Sequence, residues 1–401
     1  MANVSSSNGL EKRPKLRFPG FDEPYKQCRI GDIYAERSQR GASDMELLSV
    51  TMNDGVKPRS EIEGKDNSSE DKSNYKIVRK GDMVYNSMRM WQGANGISPC
   101  DGIVSPAYTV LMPKQEINNG YFAALFKSVT LINEFRKNSQ GMTSDTWNLK
   151  YPQIETIKVQ IPSVSEQDKV SELFSVLEER IATQAQLVES LKKYKRGVVH
   201  TLLSPKHCKL KNVEWTTAKI GDIGTFIKGA PLSKADISSD GTPFILYGEL
   251  YTTYNEVISK VVRKTQASVD KQYYSQIGDV IIPTSGETPE EISTASCVML
   301  PDIILAGDLN IYRCTQVDGR IMSYILNHVV NDRIARVAQG KSIVHVQATE
   351  ISKIEITYPD LISQKKLIET FDAITARIDQ SMRELELLQV HRKALLQQLF
   401  I

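Results

Sequence analysis

The chain has 401 residues, of which 40% are hydrophobic and 24% are charged, and its formal net charge is +2. This composition is typical of a soluble globular protein, and the length predicts two or three domains. No apolar run is long enough to span a bilayer and residues 1–13 lack the apolar segment of a signal peptide, so we expect no membrane association. The five cysteines are widely spaced without a Cys-x-x-Cys pair, which favours reduced thiols in the cytoplasm over disulfides or a zinc site.

The first landmark of the chain occurs twice. After a polar stretch, residues 1–15, an aromatic residue precedes an Ile-Gly-Asp-Ile tetrapeptide by five positions, first at Tyr25 and residues 30–33, then at Trp215 and residues 220–223. We expect the polar stretch to be a flexible tail. The recurrence is the first indication of an internal duplication.

Two further landmarks repeat in the same order. A Gly-Asp pair leads into an apolar run at residues 81–82 and again at residues 278–279. Such a pair is typical of a turn that starts a strand. Segments bracketed by glycines at residues 120–141 and 319–340 each show an apolar face, which predicts one helix in each segment.

Each half then ends on an alternating strand that stops at a proline, followed by a long amphipathic segment, at 163–204 and at 360–401. With a constant offset of 197 residues, the apolar positions of both segments advance by alternating steps of four and three. A mean step of 3.5 residues is the signature of a coiled-coil seam. Polar residues interrupt the two seams at matching positions, Gln184 with Ser381 and Lys195 with Arg392. The matched interruptions favour pairing of the two helices within one chain.

We therefore interpret the chain as a tandem duplication of the α/β (α+β) class. The predicted division is as follows: a tail at 1–15, a first domain at 16–162, a helix at 163–204, a second domain at 205–359 and a helix at 360–401. The loops between the shared elements differ in the two halves, as expected for domains that recognise different targets.

Catalytic and metal-binding motifs are missing from the sequence. There is no G-x-G-x-x-G or G-x-S-x-G motif, and residues 339–342 resemble the end of a P-loop whose first glycine is replaced by Ala335. The five histidines have no metal-ligand spacing. We therefore predict no catalytic residue, no metal site and a binding function.

The chain resembles the specificity subunit of type I restriction–modification enzymes. The resemblance covers essentially the whole chain and rests on these features: residues 16–21 (LRFPGF), both Gly-Asp landmarks, residues 85–93 (YNSMRMWQG), residues 103–108 (IVSPAY) and the two long helices. One departure is Tyr25, where a tryptophan is more usual, whereas Trp215 keeps the usual residue.

The resemblance implies two tandem target-recognition domains, each reading one half of a split double-stranded DNA sequence. It also implies that the two long helices pair as an antiparallel intrachain coiled coil. About 40 helical residues span roughly 60 Å, which corresponds to at most about 17 base pairs of DNA. The subunit would carry no cofactor and no catalysis of its own. Two methylation subunits would bring S-adenosylmethionine, and restriction subunits would bring ATP and Mg²⁺. The alternative is a coiled-coil scaffold that does not touch DNA.

Under this resemblance, the divergent loops are where bases would be read, because forked side chains match the edges of guanine and adenine. The base-contact candidates are Asn86, Arg89, Trp91, Gln92, Thr143, Ser144 and Trp147 in the first domain, and Thr284, Ser285, Thr288, Ser342 and His345 in the second. The phosphate-contact candidates are Lys57, Arg59 and Lys341. Each could instead be an ordinary loop residue, and the two tryptophans could be core aromatics.

Overall fold

The computed structural model of the protein describes residues 13–41, 44–52, 55–66, 68–340 and 344–401. Residues 1–12 of the expected tail and the candidates Lys341 and Ser342 lie outside the described residues. The chain divides into two compact units. Unit 1 comprises Met1–Ala185 and Arg383–Ile401, and unit 2 comprises Gln186–Met382.

Unit 1 is built mainly from short antiparallel strands. Its elements are β1 Lys26–Arg29, α1 Ile30–Ile33, β2 Tyr34–Glu36, β3 Leu48–Thr51, β4 Gly55–Pro58, β5 Lys76–Val78, β6 Met83–Asn86, β7 Asn95–Ile97, β8 Gly102–Val104, β9 Tyr108–Pro113, α2 Asn119–Leu125, α3 Val129–Asn138, α4 Tyr151–Ile154, β10 Lys158–Ile161 and the first half of α5 (Val164–Leu202). Within the described part of the unit, one sheet has the order β2-β9-β6-β7, and β1–β10, β3–β4 and β5–β8 form separate pairs. A core of buried aliphatic and aromatic side chains packs between these strands and helices α2 and α3.

Unit 2 repeats this plan with a larger sheet. Its elements are the second half of α5, β11 Trp215–Lys219, β12 Gly224–Lys228, β13 Thr242–Leu246, α6 Glu249–Thr252, β14 Val257–Ile258, β15 Arg263–Thr265, β16 Asp279–Pro283, β17 Ser285–Gly286, α7 Pro289–Ile292, β18 Ser296–Val298, β19 Ile304–Ala306, β20 Leu309–Cys314, α8 Gly319–His328, α9 Asn331–Val337, β21 Val344–His345, α10 Ala348–Ser352, β22 Glu355–Pro359 and the first half of α11 (Leu361–Gln398). The larger sheet has the order β12-β20-β16-β18-β14, and β15-β13-β19 forms a second sheet. Strands β11 and β22 pair as β1 and β10 do in unit 1.

The glycine of each Ile-Gly-Asp-Ile landmark permits a close approach between two parts of its unit. A Cβ atom on Gly31 would lie 2.9 Å from the Cβ of Glu155, and one on Gly221 would lie 2.8 Å from the Cβ of Ser352. Real Cβ atoms are not found so close, so the turn can pack there only with glycine.

The aspartate of each Gly-Asp landmark binds an arginine. Asp82 lies 2.7 Å from Arg37 in unit 1, and Asp279 lies 3.0 Å from Arg313 in unit 2. The glycine before each aspartate has a φ of +91° and +94°, respectively, in the left-handed region that favours glycine. The turn therefore starts β6 and β16 as the sequence predicts.

The prediction of one helix between each pair of bracketing glycines is wrong. Unit 1 has α2 and α3 in this segment, and unit 2 has α8 and α9. In unit 1 the break falls at Ser128, whose extended backbone has a ψ of 148° and whose hydroxyl accepts a hydrogen bond from the amide of Leu131. This side-chain cap starts a new helix, because it satisfies an amide that the first turn leaves unpaired.

The long helices α5 and α11 contribute paired halves to each unit. In unit 1, Glu178 binds Arg392 at 2.6 Å and Gln184 binds Glu384 at 3.2 Å, so contacts that advance along α5 recede along α11. In unit 2, Val199 of α5 shares a buried cluster with residues of the first turns of α11. The prediction of an antiparallel intrachain coiled coil is confirmed.

One polar interruption of the seam is buried in an ionic cluster of unit 2. Lys195 donates to the carboxylate of Glu256 at 2.8 Å, and its ammonium lies 5.2 Å from the centre of the Tyr324 ring. The seam therefore connects helix α5 to helix α8 of unit 2 as well as to α11. No helix in the described part of the chain is long and apolar enough to cross a membrane.

Candidate nucleic-acid interface

The divergent loops are residues 86–102 and 142–147 in unit 1, and residues 283–295 and 341–345 in unit 2. In both units a backbone hydrogen bond at an equivalent position links the first loop to the end of the second. In unit 1 the amide of Leu149 donates to the carbonyl of Ser87 at 2.8 Å, and in unit 2 the amide of Val346 donates to the carbonyl of Thr284 at 3.0 Å. Donor and acceptor differ by the same offset of 197 between the units. The loops that sequence comparison picks out separately are thus one surface in each unit.

The joined loops of unit 1 carry an aromatic pair. The rings of Trp91 and Trp147 meet edge to face, with centroids 5.3 Å apart. The indole N–H of Trp91 donates to the carbonyl of Met88 at 3.0 Å. Both side chains are half-buried, so the pair orders the loops and keeps part of its carbon surface at the protein exterior.

Arg136 belongs to this surface, although the sequence analysis does not select it. Its guanidinium carbon lies 5.6 Å from the centroid of the Trp91 ring, a cation–π distance. The residue is exposed in the last turn of α3. A cation at the end of the helix before a divergent loop was the available signal, but the contact with Trp91 depends on packing between segments 45 residues apart.

The other unit 1 candidates differ in how freely they face outward. Arg89, Gln92 and Ser144 are exposed. Asn86 is half-buried, and its side-chain oxygen accepts from the amide of Met88 at 3.0 Å. Thr143 is exposed in a tight turn, where its carbonyl accepts from the Thr146 hydroxyl at 2.9 Å.

In unit 2 the joined loops form a small antiparallel ladder in which β17 pairs with β21 and Ser285 faces His345. The Ser285 side chain is buried and donates to Asp308 at 2.9 Å, so it holds the loop in place. The hydroxyl of Thr288 accepts from the amide of Glu291 at 3.2 Å and caps α7. His345 is exposed and Thr284 is half-buried.

The surface near the unit 2 ladder is acidic. Glu287 is exposed, and its amide donates to the carboxylate of Glu291 at 2.8 Å. Partial burial, reinforced by the negative charge of Glu291 and Glu287, raises the pKa of the nearby Tyr251 hydroxyl.

The phosphate candidates of unit 1 lie on and after β4. Lys57 is half-buried on that strand. Arg59 donates to the backbone carbonyls of Ile62, Gly64 and Lys65 at 2.5, 2.9 and 2.7 Å. Its guanidinium thus orders the loop that follows.

Among the described residues, no group of histidine, cysteine, aspartate and glutamate side chains is arranged to hold a metal ion.

The duplicated scaffold and its two loop surfaces define a two-module binding protein. Comparison with known families identifies the kind of binding protein. Residues 23–193 and 212–389 each match the type I restriction modification DNA specificity domain. The chain belongs to this family.

Individual relatives agree with the family match. The chain is 21% identical over 347 residues to the type I restriction enzyme MjaVIII specificity subunit of Methanocaldococcus jannaschii, covering 80% of this chain and 78% of the relative. Two solved structures share the fold. One is a chain from a study of complex assembly and conformational transition of the type I R-M system, with a TM-score of 0.61, 14% identity and coverage of 95% of this chain and 97% of that chain. The other is the S subunit from M. genitalium, with a TM-score of 0.58, 15% identity and coverage of 97% and 99%.

Proposed function

We propose that this specificity subunit reads a bipartite double-stranded DNA sequence, with the joined loops of each unit facing one half-site. The observation that carries the proposal is the duplicated junction, Leu149 to Ser87 and Val346 to Thr284. A shared scaffold presents two divergent segments at the same place in each unit, which is what two recognition surfaces of different specificity require. The subunit selects the DNA and leaves catalysis to other subunits.

Base contacts are assigned by the chemistry and exposure of the loop residues. In unit 1, Arg89 and Gln92 are exposed and have the forked ends that match guanine and adenine, respectively. In unit 2, His345 is exposed on β21. The remaining candidates of both units stay in the proposal as residues that shape or extend these two surfaces.

The partners follow from the family and carry the cofactors. We propose two methylation subunits with S-adenosylmethionine and restriction subunits with ATP and Mg²⁺, assembled with this chain on DNA in the cytoplasm. The support is family membership and a structural neighbour from a study of complex assembly in the type I R-M system.

The test uses the full chain assembled with its methylation subunits. The modified adenines in the host genome give the bipartite target, and a salt titration of binding to that duplex gives the electrostatic contribution. Phosphate contacts produce a steep fall in affinity with the logarithm of salt concentration. A complex that shows no salt-dependent binding to duplex DNA, even with the methylation subunits present, would support the scaffold alternative.

Arg89→Ala then tests the division into two modules. Loss of one bidentate pair costs roughly 1–3 kcal/mol of base discrimination. We expect relaxed base preference at one position of one half-site and no change in the other half-site. Relaxation in both half-sites would contradict the two-module reading.

A further inference from the structure

The joined loops of unit 1 expose apolar side chains that no core contact explains. Met88 is 42% exposed, and its carbonyl accepts the indole N–H of Trp91. Met142 is 100% exposed in the same loop as Trp147, five residues before it. We refer to these four residues as the apolar rim. Exposed apolar surface concentrated in one place usually marks a binding site.

The hydrogen-bonding capacity of the rim is low. The indole N–H of Trp91 is already used by the carbonyl of Met88. The methionine side chains have no donor and only a weak acceptor. Apart from the indole N–H of Trp147, what the rim offers to a ligand is therefore carbon and sulfur surface.

Cations border the apolar rim. The guanidinium of Arg136 lies over the Trp91 ring, and Arg89 is exposed at the start of the short helical turn that contains Trp91. With Arg89, Arg136 and the exposed Asp145 of the second loop, the charge of these residues is net positive and matches a polyanion. An apolar surface beside cations is expected where a protein meets a groove bordered by phosphates.

The described residues of the equivalent loops in unit 2 expose different chemistry. Their exposed side chains include Glu287, Thr288 and His345, whereas Val344 is buried. The rim is therefore a feature of unit 1 loops within the described part of the chain.

We propose that the apolar rim contacts the 5-methyl group of a thymine in the major groove of one half-site. This inference rests on the proposed function. Each base pair shows a distinct pattern in the major groove, and the thymine methyl is its apolar element. Methionine and tryptophan surface can bury this methyl, while Arg136 at the edge of the rim holds the backbone.

The experiment replaces thymines by deoxyuridine, which removes only the methyl group. The complete methylation complex is titrated with duplexes of the mapped target in which each thymine is replaced singly. Removing one buried methyl group is expected to weaken binding about fourfold. We expect this loss at a thymine of one half-site and at no thymine of the other.

Two variants connect the effect to the rim. Met142→Ala, at a fully exposed position, is expected to bring the ratio of thymine to deoxyuridine affinity close to one. The matched control is Met52→Ala, because Met52 is a 43% exposed methionine of the same unit in another loop. The control is expected to keep the fourfold ratio.

The outcomes separate the inference from the function on which it rests. Sequence-specific binding without any deoxyuridine effect overturns the rim contact and leaves the proposed function standing. An unchanged ratio in Met142→Ala also overturns it. If Met142→Ala weakens assembly with the methylation subunits while the ratio is unchanged, the rim binds protein and the inference is wrong. Absence of sequence-specific binding in the wild-type complex overturns both.

Discussion

Replacing Glu256 with glutamine removes the only carboxylate that neutralises a buried cluster described in unit 2. The Glu256 carboxylate lies 2.8 Å from the Lys195 ammonium and 2.7 Å from Nε2 of His328. The side chains of these three residues are 15%, 9% and 14% exposed, respectively, so solvent screens the charges weakly. The glutamine variant leaves Lys195 buried without a counter-charge, which is costly.

The pKa of Glu256 sets the size of the effect. Burial would raise this pKa, but the hydrogen bond with His328 and the charge of Lys195 outweigh burial and lower it from 4.5 to about 2. At 1.36 kcal/mol per pKa unit, the ionised carboxylate stabilises the folded state by about 3 kcal/mol. Because the folded pKa is the lower one, this stabilisation is complete above pH 4.5 and is lost as the pH falls towards 2.

Trp215 provides the assay, since it is the one tryptophan of unit 2 and the other two are at positions 91 and 147. With Trp91 and Trp147 replaced by phenylalanine, Trp215 fluorescence follows denaturant unfolding of unit 2 in the full chain. We expect the free energy of unfolding of Glu256→Gln to be about 3 kcal/mol lower than that of the parent at pH 7, with the difference shrinking below pH 4.5.

The matched control is Glu189→Gln, because Glu189 pairs with Lys192 on the same helix but is 70% exposed. Exposed pairs contribute at most about 1 kcal/mol, so this change should have little effect. A stabilising role of the ionised Glu256 is refuted if Glu256→Gln behaves like the control. It is also refuted if the loss of unfolding free energy in Glu256→Gln is the same at every pH.

Three further predictions concern the loop surface, the landmark glycines and the long helices. Arg136→Ala should weaken duplex binding and lower the slope of affinity against salt by about 1, as for loss of one phosphate contact; an equal effect of Lys137→Ala, which changes the next residue, would contradict the assignment. Gly221→Ala should lower the free energy of unfolding by about 1–3 kcal/mol because the new Cβ meets Ser352. The control is Gly197→Ala, because a Cβ atom added at Gly197 would have no neighbour within 4 Å. This change should raise the free energy of unfolding, measured by thermal denaturation, by up to about 1 kcal/mol. Deleting one heptad from both α5 and α11 should shorten the DNA spacer by about 3 base pairs, because a helix rises 1.5 Å per residue and DNA rises 3.4 Å per base pair. Methylome mapping that instead shows altered half-sites would refute the idea that the paired helices set the spacer length.

The duplication and the long helices could be predicted because their signals are periodic and extend over many residues. The apolar seam repeats over about ten steps, so a single polar residue does not hide it. The landmark glycines repeat for a steric reason, and Gly31 and Gly221 fulfil the same one. Such features can be predicted by comparing the two halves of the sequence with each other.

The remaining details depend on contacts between distant segments or on single hydrogen bonds. The break at Ser128 depends on one side-chain cap, which the apolar periodicity of the segment does not reveal. Lys195 finds its counter-charge 61 residues away in Glu256. The sequence makes Thr288 a base-contact candidate by its position in a divergent loop, and the structure uses its hydroxyl as a helix cap. Periodicity contains no information about such partners.

Each unit contains the first half of one long helix and the second half of the other, and this arrangement affects the order of folding during synthesis. The core of unit 1 includes Leu396, Leu399 and Phe400, and the amide of Leu16 donates to the carbonyl of Gln398 at 2.9 Å. Unit 2 is one continuous stretch, Gln186–Met382. A ribosome therefore releases all of unit 2 before the residues that close unit 1. The N-terminal half of this chain is translated first and completes its core last, which reverses the usual order of co-translational folding.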